Sequence, residues 1–156
     1  MRRIGQFSNM VYHGEHADGY AVELWRDGGS VAGLFLAAAG LAGNTPAGLL
    51  ENIKFDARTG ALSFTARLSI GTAFAASSAS GKGEPTRDQF EFNGNLKAKM
   101  LTGTLRHTDA RQPAAPAARK RVQLRLRSGA LSIRASNFAE WRHQIEDILK
   151  FRGPAW

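Results

Sequence analysis

A chain of 156 residues, 43% hydrophobic and 22% charged, has the length and composition of one globular domain with a real core. It contains no cysteine, which excludes disulfides and any Cys-based zinc or nucleophile chemistry. The longest apolar run, Val31 to Ala42, falls well short of the ~20 residues that a membrane-spanning helix needs. The net charge of +8 turns attention to anionic partners such as nucleic acid or anionic lipid.

Arg2-Arg3 precede Ile4 to Asn9, a run too polar for the apolar centre of a signal peptide. The expected setting is cytoplasmic if the sequence is complete, and exported if a leader has been removed. Ser8 to His13 reads as a first strand. A polar loop ending in Asp18-Gly19 leads to a second, Tyr20 to Trp25, with Tyr20, Val22 and Leu24 on one face. Arg26-Asp27-Gly28-Gly29 is a hairpin turn, because Asp-Gly and Gly-Gly supply left-handed geometry. The third strand, Ser30 to Ala37, is apolar on both faces. Val31, Gly33 and Phe35 share one, and Ala32, Leu34 and Leu36 share the other, so something should cover its outside.

Ala38 to Gly48 reads as a loop. Leu49 to Asp56 and Gly60 to Gly71 form a hairpin around Asp56-Ala57-Arg58-Thr59-Gly60. Leu62, Phe64, Ala66 and Leu68 alternate with Ser63, Thr65 and Arg67, which is period two. Thr72 to Ala76 extends that strand, and Ser77 to Pro85 is a loop. The sixth strand, Arg87 to Ala98, faces Phe90, Phe92, Gly94 and Leu96 inward, with a bend or bulge expected at Gly94. A turn near Lys99-Met100 leads to the seventh, Leu101 to His107, with Leu101, Gly103 and Leu105 inward. Asp109 to Arg119 is a Pro/Ala-rich connector. Arg121 to Arg127 is the eighth strand, with Val122, Leu124 and Leu126 inward and the arginines outward.

The period then changes. Phe138, Trp141, Ile145, Ile148 and Leu149 recur at helical spacing, which predicts an amphipathic helix over 137–151. Asn137 with Glu140 three residues later is a capping-box-like start. Arg152-Gly153-Pro154 stops the helix, and Trp156 is expected to tuck into an apolar groove.

Eight alternating strands joined mostly by short turns predict an all-β fold. The expected architecture is a single domain over 1–156, an eight-stranded antiparallel up-and-down barrel with one C-terminal α-helix. A two-sheet sandwich is the alternative. The helix lies on the barrel wall or caps one end, and on the wall it covers Ala32, Leu34 and Leu36. The pattern of eight meander strands and a helix over roughly residues 8 to 150 resembles the lipocalin-like, or calycin-type, small barrels. Lipocalins carry a Gly-x-Trp signature on the first strand, and Gly19-Tyr20 does not reproduce it. The resemblance implies an apolar ligand cavity.

Catalytic constellations are absent from the pattern. No Gly-x-Ser-x-Gly is present, and Gly81-Lys82-Gly83 lacks the length and context of a phosphate loop. Glu23 and Glu91 have outward parity. Glu51 shares parity with Ile53 and Phe55, so it points inward or lies at the rim. His13, His16 and Asp18, joined by His107 and Asp109 if the loops met, are the nearest approach to a metal-ligand set, without fixed geometry. No cofactor, metal site or catalytic residue is expected.

The first functional expectation is therefore non-catalytic binding of a small apolar or amphipathic ligand. Tyr20, Phe35, Phe55, Phe64 and Phe92 would line the site, with Arg or Lys at the rim holding an anionic head group. Gly33, Ala66, Gly94 and Gly103 share the inward parity and would leave space near one end. The alternative is a basic interaction module, with Arg121, Arg125 and Arg127 contacting an anionic partner: nucleic acid, anionic lipid or protein.

Overall fold

The computed structural model describes residues 1–71, 74, 85–129 and 134–152. Nine strands and one α-helix follow in order: β1 Arg2–Ser8, β2 Val11–His13, β3 His16–Asp27, β4 Ser30–Leu41, β5 Ala47–Phe55, β6 Ala61–Arg67, β7 Asp88–Lys97, β8 Met100–Asp109, β9 Ala118–Leu126 and α1 Phe138–Arg152. Each of β3 to β8 pairs antiparallel with its successor. β1 pairs with both β9 and β3, and this closes the sheet. Because β1 and β2 lie end to end along β3, they fill one place in the ring. The result is a closed, eight-stranded antiparallel barrel with one helix.

Most elements fall where period-two alternation places them. Three differences have physical causes. The first strand begins at Arg2, and Asn9-Met10 interrupts it. Its alternation is hidden because Gln6 and Ser8, on the outer side, are polar yet buried. β4 runs on to Leu41 through residues read as loop, and a 3-10 turn over Ala42–Asn44 follows. Alanine and glycine are weak strand formers, but here β3 pairs with them as far as His16↔Leu41, so tertiary pairing overrides propensity. The β7–β8 reversal is centred on Ala98-Lys99, both with positive φ, as two-residue turns of this hand require.

A further difference changes a side-chain direction. Asn52 has φ 51°, and the register of β5 against β6 shifts between Glu51 and Lys54. One extra residue reverses parity beyond the bulge. Leu50 therefore joins the core upstream of it and Ile53 and Phe55 pack against that core downstream. Glu51 faces outward, its carboxylate 3.0 Å from the Arg67 guanidinium. The inward expectation for Glu51 is thus corrected. Gly94 carries no bulge, since β7 and β8 stay in register from Asp88 to Lys97.

Two apolar clusters result. The barrel interior holds Phe7, Val22, Leu24, Phe35, Phe64, Phe90, Leu101, Leu124 and their neighbours. The second cluster lies between the outer wall and α1, where Ala21, Trp25, Leu34 and Ala38 meet Trp141 and Ile145. This is the cover that the doubly apolar β4 requires. The Asn137 side chain accepts from the Glu140 N–H at 3.0 Å, and Glu140 reaches back to the backbone and hydroxyl of Ser136. These three bonds fix the start of the helix. The proposed strand extension over 72–76 (Phe74 excepted), the loop over 77–84, the Gly153-Pro154 stop and the place of Trp156 lie outside the described residues.

Glu23 ties helix to wall. It is fully buried on the outer face of β3, and its carboxylate accepts from the indole N–H groups of Trp25 at 3.2 Å and Trp141 at 3.0 Å. The Arg3 guanidinium lies 2.9 Å away. Burial pushes the Glu23 carboxyl above its ordinary value, against the lowering effect of Arg3 and the indole donors. A folded-state value above the unfolded one means that the folded protein holds this proton more tightly. Glu23's contribution to stability is therefore greatest below the ordinary glutamate range and falls as pH rises through the raised value. Urea midpoints measured across that window should fall with pH in the wild type relative to Glu23→Gln. A difference that stays flat or runs the other way contradicts this placement of charge.

Candidate functional site

The two ends of the barrel differ. One end closes with tight reversals at Gly28-Gly29 and Ala98-Lys99 and the Asp56 turn. The other carries the longer connections, between β4 and β5, β6 and β7, and β8 and β9. Inward-facing side chains at this second end form the candidate site.

The register places them. β7 and β8 pair Phe90 with His107 and Phe92 with Leu105, so Asp88, Phe90 and Phe92 face inward beside His107 and Leu105. β8 and β9 pair Leu105 with Lys120, so Lys120 continues the inward row of Val122 and Leu124. His107 and Lys120 are diagonal neighbours on one face, a separation of about 7–8 Å between backbones. Asp88 is fully buried. Its carboxylate lies 2.6 Å from His107 Nε2 and accepts from the Thr86 hydroxyl at 2.8 Å and the Phe74 N–H at 2.7 Å. These contacts engage both Asp88 oxygens and hold the imidazole in one orientation. His107 is 22% exposed, so its ring bridges the buried carboxylate and the mouth.

Aromatic rings form the floor. His107 stacks on Phe90 with centroids 4.6 Å apart and meets Phe74 edge-on at 5.3 Å. Tyr20 packs against Phe35 and Phe74, each at 6.0 Å. Burial raises the Tyr20 hydroxyl above its ordinary value, so it stays a neutral donor and acceptor. Lys120 Nζ lies 5.8 Å from the centre of the Tyr20 ring, within cation–π range. It has no carboxylate partner among the described residues. Val11, Tyr12 and Leu41 stand exposed where β2, β3 and β4 end, Tyr12 and Leu41 each 59%.

The five aromatics expected to line a cavity do not converge on one site. Tyr20, Phe35, Phe64 and Phe92 form one chain of touching rings, with Phe35–Phe64 at 6.1 Å and Phe64–Phe92 at 5.1 Å. Phe55 lies at the opposite end, with the Arg26 guanidinium 5.5 Å from its centre. Nor do the inward glycines leave space. A Cβ on Gly94 would meet the Phe92 ring at 2.6 Å, and one on Gly103 would meet it at 2.7 Å. Gly33 is closed off by Leu50 at 2.7 Å. The missing side chains make room for Phe92 and Leu50 instead, so the middle of the barrel is filled with rings.

Sequence reasoning passed over Asp88, Thr86 and Phe74, counted Lys120 only within the basic cluster with Arg119 and Arg121, and considered His107 only as a metal ligand. Parity had the signal for three of these. Lys120 is two residues before Val122, Asp88 two before Phe90, and His107 two after Leu105. Among the described residues no three His, Asp or Glu side chains converge on a common metal position. His13 pairs across the β2–β3 hairpin with His16, away from His107, which meets Asp88 rather than Asp109. Arg121, Arg125 and Arg127 lie exposed on the outer side of the barrel, as their parity predicts. Comparison of the chain with protein-family models, curated proteins and solved structures gave no match.

Proposed function

We propose that the protein binds a small amphipathic carboxylate, without catalysis, at the mouth of a lipocalin-like barrel. The observation that carries this reading is Lys120. A lysine on the inward row of a barrel strand, above a buried tyrosine and without a carboxylate partner among the described residues, is a charge set to receive one. The rings of Tyr20 and Phe74, packed over the buried Phe90, supply an apolar floor for the ligand's tail, and the exposed Val11 and Leu41 extend apolar surface at this end. Filling of the barrel's middle favours a ligand seated at this end rather than threaded through the interior.

Titration with a fluorescent medium-chain fatty acid tests the reading. Saturable binding is expected, weakened about tenfold in Lys120→Ala, which corresponds to about 1.4 kcal/mol. Lys120 is exposed, so the variant should keep the wild-type unfolding temperature. Absence of saturable binding, or equal affinity in the variant, contradicts it.

A further inference from the structure

The positive charge of this protein is not spread evenly. Several arginines are neutralised where they stand: Arg3 by Glu23, Arg67 by Glu51, Arg106 by Glu91, Arg111 by Asp109 and Arg142 by Glu146. The row on β9 and its continuation is different. Arg119, Arg121, Arg125 and Arg127 alternate with inward residues, stand exposed, and have no carboxylate partner among the described residues. Alternate residues of a strand stand about 7 Å apart, so the arginines fall in one row, with Gln123 in the gap between Arg121 and Arg125.

The surface beside that line suits it. α1 packs over β3 and β4, and on the outer face of β6 to β9 Asn93, Asn95 and Thr104 stand exposed among the described residues. There the outward residues are mostly neutral hydrogen-bonding groups: Ser63, Thr65, Asn93, Asn95, Thr102 and Thr104. A shallow groove of about 460 Å³ crosses this face, with Lys54 and Arg119 among its lining residues beside Asn52, Asn93 and Thr104. The only acid lining it is Glu91, which Arg106 holds at 2.7 Å.

From this arrangement we infer that the outer face of β6 to β9 docks the phosphate backbone of duplex nucleic acid without reading its sequence. Charge complementarity carries the argument: a line of unpaired arginines faces a line of phosphates, and the Asn and Thr side chains between them offer hydrogen bonds to sugar and phosphate oxygens. The composition of the face decides among anionic partners. Its described outward residues include no aromatic ring, so bases of a single strand have nothing to stack on. Met100 is the one large apolar side chain among them, so the face has little to insert into a lipid interface. This inference concerns the outside of the barrel and is independent of ligand binding at its mouth.

Binding to a fluorescein-labelled 20-base-pair DNA duplex of random sequence, followed by anisotropy, tests it. Four neutralised phosphates give a slope of log affinity against log salt of about −3 to −4, so affinity should fall about a hundredfold between 50 and 200 mM salt. Arg121→Glu with Arg125→Glu should weaken binding at 50 mM salt more than thirtyfold. Arg134→Glu with Arg142→Glu, the same charge change on the helix side, should weaken it less than fivefold, and Lys120→Ala should leave it near the wild-type value. Circular dichroism and unfolding temperature of each variant confirm that it is folded, and Arg121→Gln with Arg125→Gln stands in for the β9 reversal if that variant is not. No binding at 50 mM salt, or equal losses from the two double reversals, overturns the inference. So does tighter, Arg121- and Arg125-dependent binding to vesicles containing phosphatidylserine, which would make the face a lipid-docking surface.

Discussion

Trp141→Ala lowers the stability of the protein by about 3–5 kcal/mol and releases α1 from the barrel wall. The ring is buried between Trp25, at 5.9 Å, and Phe138, at 5.4 Å, so truncation removes the centre of the outer cluster. It also deprives the buried Glu23 carboxylate of its 3.0 Å indole donor. Loss of a donor to a buried charge adds to the loss of packing. Trp141→Phe separates the two effects: it keeps most of the ring and loses the N–H, with an expected cost of about 1–3 kcal/mol. Urea unfolding measures both. With total stabilities typically of 5–15 kcal/mol, the alanine variant should show a large fall in midpoint. A midpoint within experimental error of the wild type would mean that the helix does not hold the wall.

Gly103→Val is the second large effect, with a loss of about 3 kcal/mol or more. A Cβ at this position would lie 2.4 Å from the backbone carbonyl oxygen of Asn93 and 2.7 Å from the Phe92 ring. The ring is held against Phe64, and the backbone of β7 is paired on both sides, with β6 and with β8. Gly103→Ala combined with Phe92→Ala should therefore cost less than the sum of the single changes, because removing the ring relieves one of the two clashes. Additive costs in urea unfolding would show that Phe92 does not occupy the space above Gly103.

These two sites mark what was legible in the sequence. The eight-strand count, the order of the hairpins and the start of the helix follow from alternation, turn residues and a cap, all local signals. The cover over β4 was legible because Ala32, Leu34 and Leu36 made both of its faces apolar. Long-range features were less so. Gln6 and Ser8 are polar yet buried, so β1 lost its apparent alternation. One bulge at Asn52 reversed parity on its upstream side, so Glu51 turned outward and Leu50 inward while Ile53 and Phe55 kept the direction that alternation gave them. Inward glycines look like empty space in a sequence, but Gly94 and Gly103 are the floor under one large ring. Parity carried to the strand ends reaches Asp88, His107 and Lys120, but it does not say that three strands bring them to the same mouth. The contact between Asp88 and His107 spans 19 residues and depends on the β7–β8 register.

The central claim is that this mouth, and not the packed middle or the basic outer face, receives a small amphipathic carboxylate. Two-dimensional NMR of the isotope-labelled protein titrated with decanoate tests it most directly. The account predicts saturable shifts concentrated at Tyr20, Phe74, Leu105, His107 and Lys120, with Phe55 and Arg125 unmoved. Shifts centred on Phe55 or on the outer face of β9, or no saturable shifts at all, would contradict it.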